Sequence, residues 1–371
     1  MSDQEALNRA FSELINGRVP EEKLPTELLQ KLLEQIAHFN AELAQTITNI
    51  SNGQLDASVN YKGNLAGSVN ALQASLKHLV WQTSAVANGD LSQKVAFMGE
   101  FSNSFNRMVE NLRKNQKIIE SKNRELEKDL ALAEEIQKTM LGELAKVDFI
   151  DARLIYRPLH KVSGDFVFTH CSADRHYSAF LGDVSGHGIA AALITIMTKT
   201  ALETILPNNP PDQVMRLLNS MLARSIPDGM YLTGALVKIS PDGKMLTSNA
   251  AHPVIMLQRI DCNEVVKISG TGLALGMFAE EIENYSSNNQ QLSCGDRIFV
   301  FSDGLQELKT NKGFLGIEGI QDIICSSRQN SLSETVQLLD STIKKAAEIN
   351  AVSDDLTVLA LEYTGKHKHS D

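Results

Sequence analysis

A chain of 371 residues, 43% hydrophobic and 22% charged, has room for two or three globular domains and is too apolar for a disordered one. Its net charge of −10, with no long Lys/Arg cluster, argues against partners held through a polyanionic backbone and against a polybasic membrane patch. Cys171, Cys262, Cys294 and Cys325 lie far apart with no C-x-x-C pair, so neither a zinc site nor a disulfide framework is signalled. The N-terminal "MSDQEALNRAFSELING" has no signal-peptide core, and the longest apolar stretch, "IAAALITIM" at 189–197, is shorter than a ~20-residue span. A cytoplasmic protein without a membrane span is expected.

Residues 1–35 read as a polar, helical segment. A repeat follows: "SNGQLDASVNYKGNLAGSVNALQASLK" at 51–77 lies over "ANGDLSQKVAFMGEFSNSFNRMVENLR" at 87–113, at an offset of 36 without a gap. Asn52/Asn88, Gly53/Gly89, Val59/Val95, Gly63/Gly99 and Asn70/Asn106 are among the identities. Such a period means one supersecondary unit used twice. Asn-Gly ends a helix, because both residues tolerate positive φ. Leu65, Val69, Leu72 and Leu76, and likewise Phe101, Phe105, Met108 and Leu112, then form a helical apolar stripe that needs partners.

Helix, Asn-Gly stop, extended connector and second helix together resemble the HAMP signalling module, with "GEFSNSFNRM" at 99–108 the stronger match. Two units spaced this closely must share a helix, near Leu65–Ala87, so 36–116 reads as a tandem HAMP-like, homodimeric bundle. The acidic pair usual before the Gly is replaced by Tyr61-Lys62 and Phe97-Met98. A plain helical dimerisation domain would show the same stripe. Over 117–147, Ile119, Leu126, Ala133 and Met140 continue a seven-residue seam from Leu112, with a poorer companion seam. That pattern predicts a marginal coiled-coil linker or a solvated spacer helix.

From 148 the texture becomes β-rich: "ARLIYRPL", "YSAFLGDV", "YLTGALVKI", "KMLTSNA", "PVIMLQ", "DRIFVFSDG" and "LTVLALEY", with helices expected at 189–206, 211–225 and near 332–349. Many strands with a few long helices make an α+β domain. Four acids in it share one grammar. Asp165 in "VSGDFVF", Asp183 in "AFLGDVSGHG", Asp303 in "IFVFSDGLQE" and Asp354 in "AVSDDLTVLAL" all lie at the edge of an apolar run, three of them beside a Gly. Carboxylates gathered at sheet ends repel unless a cation neutralises them, and an all-oxygen set favours Mg²⁺ or Mn²⁺ over zinc. Asp-Gly is also a common turn, so spacing alone leaves both readings open.

In order, "SGDF…GDVSGHGIAAAL…NAAHPVIML…GLALG…FSDGLQE…SDDLTVL" resembles the metal-dependent PPM (PP2C-like) serine/threonine phosphatases, and within them the bacterial SpoIIE/RsbU type, over 148–364. "LALAEEIQKTML" resembles the helix that enters the domain in such proteins, and 365–371 reads as a loose tail. The resemblance implies a four-layer αββα sandwich holding two Mn²⁺ or Mg²⁺ ions. Asp183 would bridge the ions, the Val184 carbonyl would ligate one, Asp165 and Asp303 would share further contacts, and Asp354 rather than adjacent Asp355 would complete the second.

It further implies hydrolysis of phosphoserine or phosphothreonine, with a phosphorylated STAS-type (anti-anti-sigma-like) protein as partner. A Cys-based route has no Cys-x₅-Arg loop to use. His187 reads first as a turn histidine and second as a phosphate or proton donor; His252 reads as structural, and Lys161 as a solvated edge or a phosphate anchor. Three departures stand out: Ser163 where the family has Gly, Phe168 where it often has an acid, and Ala251 where it has Gly. Ser163 and Phe168 leave a partner-binding pseudo-phosphatase as the alternative to an active enzyme. The helices after the acid-bearing turn are expected to carry signals from the N-terminal region.

Overall fold

The computed structural model describes residues 3–20, 25–261, 264–278, 285–311, 313–349 and 354–365. Cys262 and tail residues 366–371 lie outside the described residues. The chain divides into two compact units, Met1–Arg124 and Glu125–Asp371.

The first unit is helical: α1 (Asp3–Ile15), α2 (Thr26–Ser51), α3 (Asn64–Ala87) and the start of α4 (Glu100–Leu141). α2 and α3 end identically. Gly53 and Gly89 take φ of 78° and 93°. The following Gln54 and Asp90 amides donate back to Asn49 and Ala85, at 2.8 and 2.9 Å. This is the Schellman arrangement that satisfies the last helical carbonyls. The sequence repeat also reappears in the connectors. Asn70 clasps both main-chain groups of Val59, and Asn106 does the same for Val95, all at 2.8–3.0 Å.

The predicted stripes divide in three dimensions. Val69 and Phe105 are buried under the connectors, whereas Leu65, Leu72, Phe101, Met108 and Leu112 are exposed. The linker seam is exposed too, at Ile119, Leu126 and Met140.

The second unit has two five-stranded antiparallel sheets. In chain order its elements are β1 (Ile150–Arg157), β2 (Asp165–Cys171), β3 (Tyr177–Val184), α5 (Ile189–Ile205), α6 (Pro211–Leu222), β4 (Leu232–Ile239), β5 (Lys244–Ala250), β6 (Ile255–Gln258), β7 (Val265–Ile268), β8 (Asn288–Gln291), β9 (Arg297–Phe301), α7 (Asp303–Gln306), β10 (Lys309–Thr310), β11 (Gly313–Phe314), α8 (Gly316–Ser326), α9 (Leu332–Ile349) and β12 (Leu356–Tyr363). One sheet runs β1-β12-β9-β6-β7 and the other β2-β3-β4-β5-β8.

Strand parity builds the layers. Phe180, Val184, Leu232 and Leu236 face α5 and α6, while Tyr177, Ala179, Leu181, Ala235 and Val237 meet Ile298, Val300, Leu359 and Leu361 of the other sheet. Phe299, Phe301, Val358 and Ala360 turn outward onto α8 and α9. Sheets buried on both faces need apolar residues at both parities, which is why these strands read as unbroken apolar runs. The result is the expected αββα order of layers. Pro211 opens α6, a position where its missing N–H costs nothing. Ser331 and Glu334 exchange hydrogen bonds in a capping box before α9.

Ile189–Asn208 extends the apolar run at 189–197 and is long and apolar enough to cross a membrane by length and composition alone. Half of that window is buried, and Ala191, Ile194, Ala201 and Leu202 pack into the sheet core, which accounts for its apolar character.

Candidate active site

Antiparallel pairing puts Asp165 at the start of β2 directly opposite Asp183 near the end of β3, with Thr233 of β4 next in line. Directly opposed residues have Cβ atoms about 4.5–5.5 Å apart, and like charges there are destabilising. Both acids share the parity of Leu181, so they project between the sheets, at one end of the sandwich. The facing sheet brings Asp303 just after β9 and Asp354 and Asp355 just before β12. These two chain segments are locked together: the Ser302 amide donates to the Thr357 carbonyl and the Thr357 amide to Ser302 Oγ, both at 3.0 Å.

Asp183, Asp303, Asp354 and Asp355 line one cleft of about 300 Å³, with Val184, His187, His160, Tyr231 and Thr233. Asp165 is not among the lining residues; it is 1% exposed and paired across the strands with Asp183, which is. Among the described residues, neither Asp165 carboxylate oxygen accepts a well-formed hydrogen bond. Burial is the main cause that holds its carboxyl well above the usual range; the nearby Thr357 and Ser302 hydroxyls offset this only in part, and Asp355 and Asp303 add to it. Asp183 is displaced in the same direction, by burial and then by Asp165, Asp303 and Asp354. Asp303 follows, through burial and then Asp354. A buried carboxylate whose donors do not offset its burial is costly to keep ionised unless a cation accompanies it.

The two acids of "SDD" have separate surroundings. Asp355 is buried and accepts from the Leu159 amide at 2.6 Å, Ser163 Oγ at 2.7 Å and the Gly164 amide at 2.9 Å. Asp354 is exposed in the cleft. Ser163 thereby has a structural explanation: its hydroxyl joins Asp355 to the Asp165 amide. Gly164 is required to be small, since a Cβ there would lie 2.8 Å from the Val184 carbonyl oxygen and 3.3 Å from that of Gly186. Phe168 belongs to the core between β2 and α5, with the Lys199 ammonium 5.9 Å from its ring centre.

The profile of the SpoIIE family, Stage II sporulation protein E, matches residues 173–364, just over half of the chain. The chain belongs to the SpoIIE family. It is a PP2C-type phosphatase of the PPM class, and a HAMP domain profile matches 67–114. Among curated relatives, phosphoserine phosphatase RsbU of Bacillus subtilis is 28% identical over 242 residues, covering 64% of this chain and 70% of RsbU. Phosphoserine phosphatase RsbP of the same organism is 28% identical over 187 residues, covering 48% of this chain and 45% of RsbP. The PP2C domain of SiaA from Pseudomonas aeruginosa superposes with a TM-score of 0.53 at 20% identity, over 65% of this chain and 98% of that domain. The SpoIIE phosphatase domain with a regulatory fragment, from Bacillus subtilis, gives 0.50 at 21% identity, over 59% of this chain and 64% of that one. These superpositions establish the fold.

Of the other residues singled out in the SpoIIE phosphatase sequence, His187 lies at the cleft mouth with its ring centre 4.9 Å from that of His160. His160 belongs to none of the sequence motifs. Its only sequence signal is position, five residues before Asp165. His252 is buried, held by Asn249 and by Thr233 Oγ1 at 2.8 Å, and burial pulls its imidazole down to about 3, keeping it neutral. Lys161 turns away from the cleft lining, its ammonium donating to the Glu127 carbonyl of α4 at 3.3 Å. Ala251 sits at φ 53°, the left-handed region where the family's Gly is at ease.

Proposed function

We propose that Asp165, Asp183, Asp303 and Asp354, with the Val184 carbonyl, hold two Mn²⁺ or Mg²⁺ ions, and that the enzyme uses them to hydrolyse phosphoserine or phosphothreonine on a STAS-type regulatory protein. The observation that carries this is the opposed pair Asp165–Asp183, displaced in its ionisation, of which Asp183 lines a cleft together with Asp303, Asp354 and Asp355. The donor set suits a hard cation. Among the described residues no three His, Cys, Asp or Glu side chains close around one point. Mg²⁺ commonly takes only one or two carboxylates and keeps several waters, so this open arrangement is compatible with it.

Bound divalent cations would supply hydroxide near neutral pH and neutralise phosphoryl oxygens. The chain's own residues do the rest. Asp355, through its three hydrogen bonds, fixes the turn that bears Asp165. Gly164 lets that turn approach the Val184 carbonyl. His160 and His187 present imidazoles at the mouth, where a phosphomonoester enters. Exposed Leu65, Leu72, Phe101, Met108, Leu112, Ile119 and Leu126 support pairing of two chains through the HAMP-like region and the linker. Unpaired apolar stripes on helices favour association with another helix.

The test is purified protein, Mn²⁺ and a phosphorylated STAS protein, with Asp183→Asn as control. Wild type should release phosphate and the variant should not. Equal residual phosphoprotein in both would replace the enzyme reading with that of a partner-binding module.

A further inference from the structure

One polar side chain of the linker helix is buried against the turn that carries Asp165. Gln137 of α4 is 3% exposed. Its Nε2 donates to the Ser163 carbonyl at 2.8 Å and to Thr195 Oγ1 at 3.0 Å, and its Oε1 accepts from the Ser163 amide at 3.2 Å. Both main-chain groups of Ser163 are therefore paired by one carboxamide, as a neighbouring strand would pair them. Thr195, fully buried in α5, donates a hydrogen bond from its own hydroxyl to the Ala192 carbonyl at 2.7 Å. Three elements meet at this amide: the linker helix, the turn that carries Asp165, and the helix that follows Asp183 and Val184.

The cost of burying an amide explains why the position matters. Burying an amide is unfavourable unless its groups are paired, so an apolar residue would be the simpler filling unless the hydrogen bonds were needed. The same turn is tied to α4 a second time, by Lys161 to the Glu127 carbonyl. Beyond Ser163 the turn has little slack. Gly164 packs close to the Val184 carbonyl, and the Val184 amide donates to the Gly164 carbonyl at 3.2 Å.

We infer that Gln137 is a positioning residue for the acid cleft. Its carboxamide sets the Ser163–Gly164–Asp165 turn relative to α5, and with it the separation of Asp165 from the Asp183–Val184 strand end. A shift of α4 along or about its axis must break these hydrogen bonds before it leaves the turn behind, so the linker helix acts on the cleft through this side chain. The inference rests on the reading of the acids as divalent-cation ligands. Outer-shell groups that orient metal ligands commonly contribute 10–100-fold to metal affinity.

The experiment uses the full chain with Gln137→Met and Thr195→Val, both of similar volume to the residues replaced. Mn²⁺ binding is read directly from the free-ion electron paramagnetic resonance signal, beside turnover of p-nitrophenyl phosphate. Gln137→Met should weaken Mn²⁺ binding about tenfold or more. KM for p-nitrophenyl phosphate at saturating Mn²⁺ should stay within about twofold of wild type, since the residue does not reach the cleft mouth. Thr195→Val should produce a smaller loss, and the double variant no more than Gln137→Met alone, because the two share one hydrogen bond. Unchanged Mn²⁺ affinity in either folded variant, or a fall in melting temperature alone, overturns the inference. Wild type that binds Mn²⁺ without turnover removes the phosphatase reading and leaves the Gln137 comparison standing. Wild type that binds no Mn²⁺ overturns both.

Discussion

Gly164→Ala probes how closely the acid-bearing turn is packed. The added Cβ would lie 2.8 Å from the Val184 carbonyl oxygen, 3.3 Å from the Gly186 carbonyl oxygen and 3.7 Å from Ala191 Cβ. Relaxed carbon–oxygen contacts lie nearer to about 3.4 Å, so the two strand ends must separate by roughly half an ångström. The nearest atoms are main-chain carbonyls held by β3 and by the turn into α5, and they cannot swing aside as a side-chain tip would. Overpacking of this kind costs about 1–3 kcal/mol, or a melting temperature lower by about 2–12 °C for a domain of this size. A misplacement of 1 Å costs about 10²-fold in rate, so half of that predicts a loss of about tenfold in kcat. The assay is differential scanning calorimetry beside turnover at saturating Mn²⁺. Ser163→Ala is the comparison: it removes the hydroxyl between Asp355 and the Asp165 amide without adding an atom, and costs about 1.5–3 kcal/mol with a smaller effect on rate. Wild-type melting and turnover in Gly164→Ala would refute the close packing of Asp165 against Val184 on which the site description depends.

Three further outcomes are expected. Ala251→Gly should stabilise the phosphatase unit by about 0.5–1 kcal/mol, because relief of a left-handed alanine exceeds the entropy glycine adds to the unfolded chain; thermal melts would show it. Asp355→Ala should cost about 3 kcal/mol, since three donors lose their acceptor, whereas Asp354→Ala, which removes one acceptor from the Asp355 amide, should cost about 1 kcal/mol in urea unfolding while abolishing turnover. Burial and mutual repulsion raise the Asp165 and Asp183 carboxyls in the folded state; their contribution is therefore complete below the unfolded value near 3.8 and is lost as pH rises through the elevated folded values. With chelator present, urea midpoints should fall toward alkaline pH more steeply in wild type than in Asp165→Asn, and Mn²⁺ should remove the difference; parallel pH curves would count against the cation site.

Local and periodic features of this protein were legible in the sequence. The 36-residue offset preserved the Asn-Gly helix stops and the Asn70 and Asn106 clasps, because each is made within a few turns of chain. The order of six short motifs carried the family, and unbroken apolar runs marked strands buried on both faces. The geometry of the cleft depends on pairing over long separations. Which acid of "SDD" is consumed by structure was decided by Leu159, Ser163 and Gly164, more than 190 residues away along the chain. The opposition of Asp165 and Asp183 is a matter of strand register, and the approach of His160 to His187 a matter of how two turns are stacked. Gln137 gave no signal beyond a polar letter in a helical run, because its importance lies in the hydrogen-bond partners that folding brings to it. Residue types and their spacing determined the kinds of groups available; only tertiary pairing decided which of them meet, since a carboxylate or an amide takes its energy from what surrounds it.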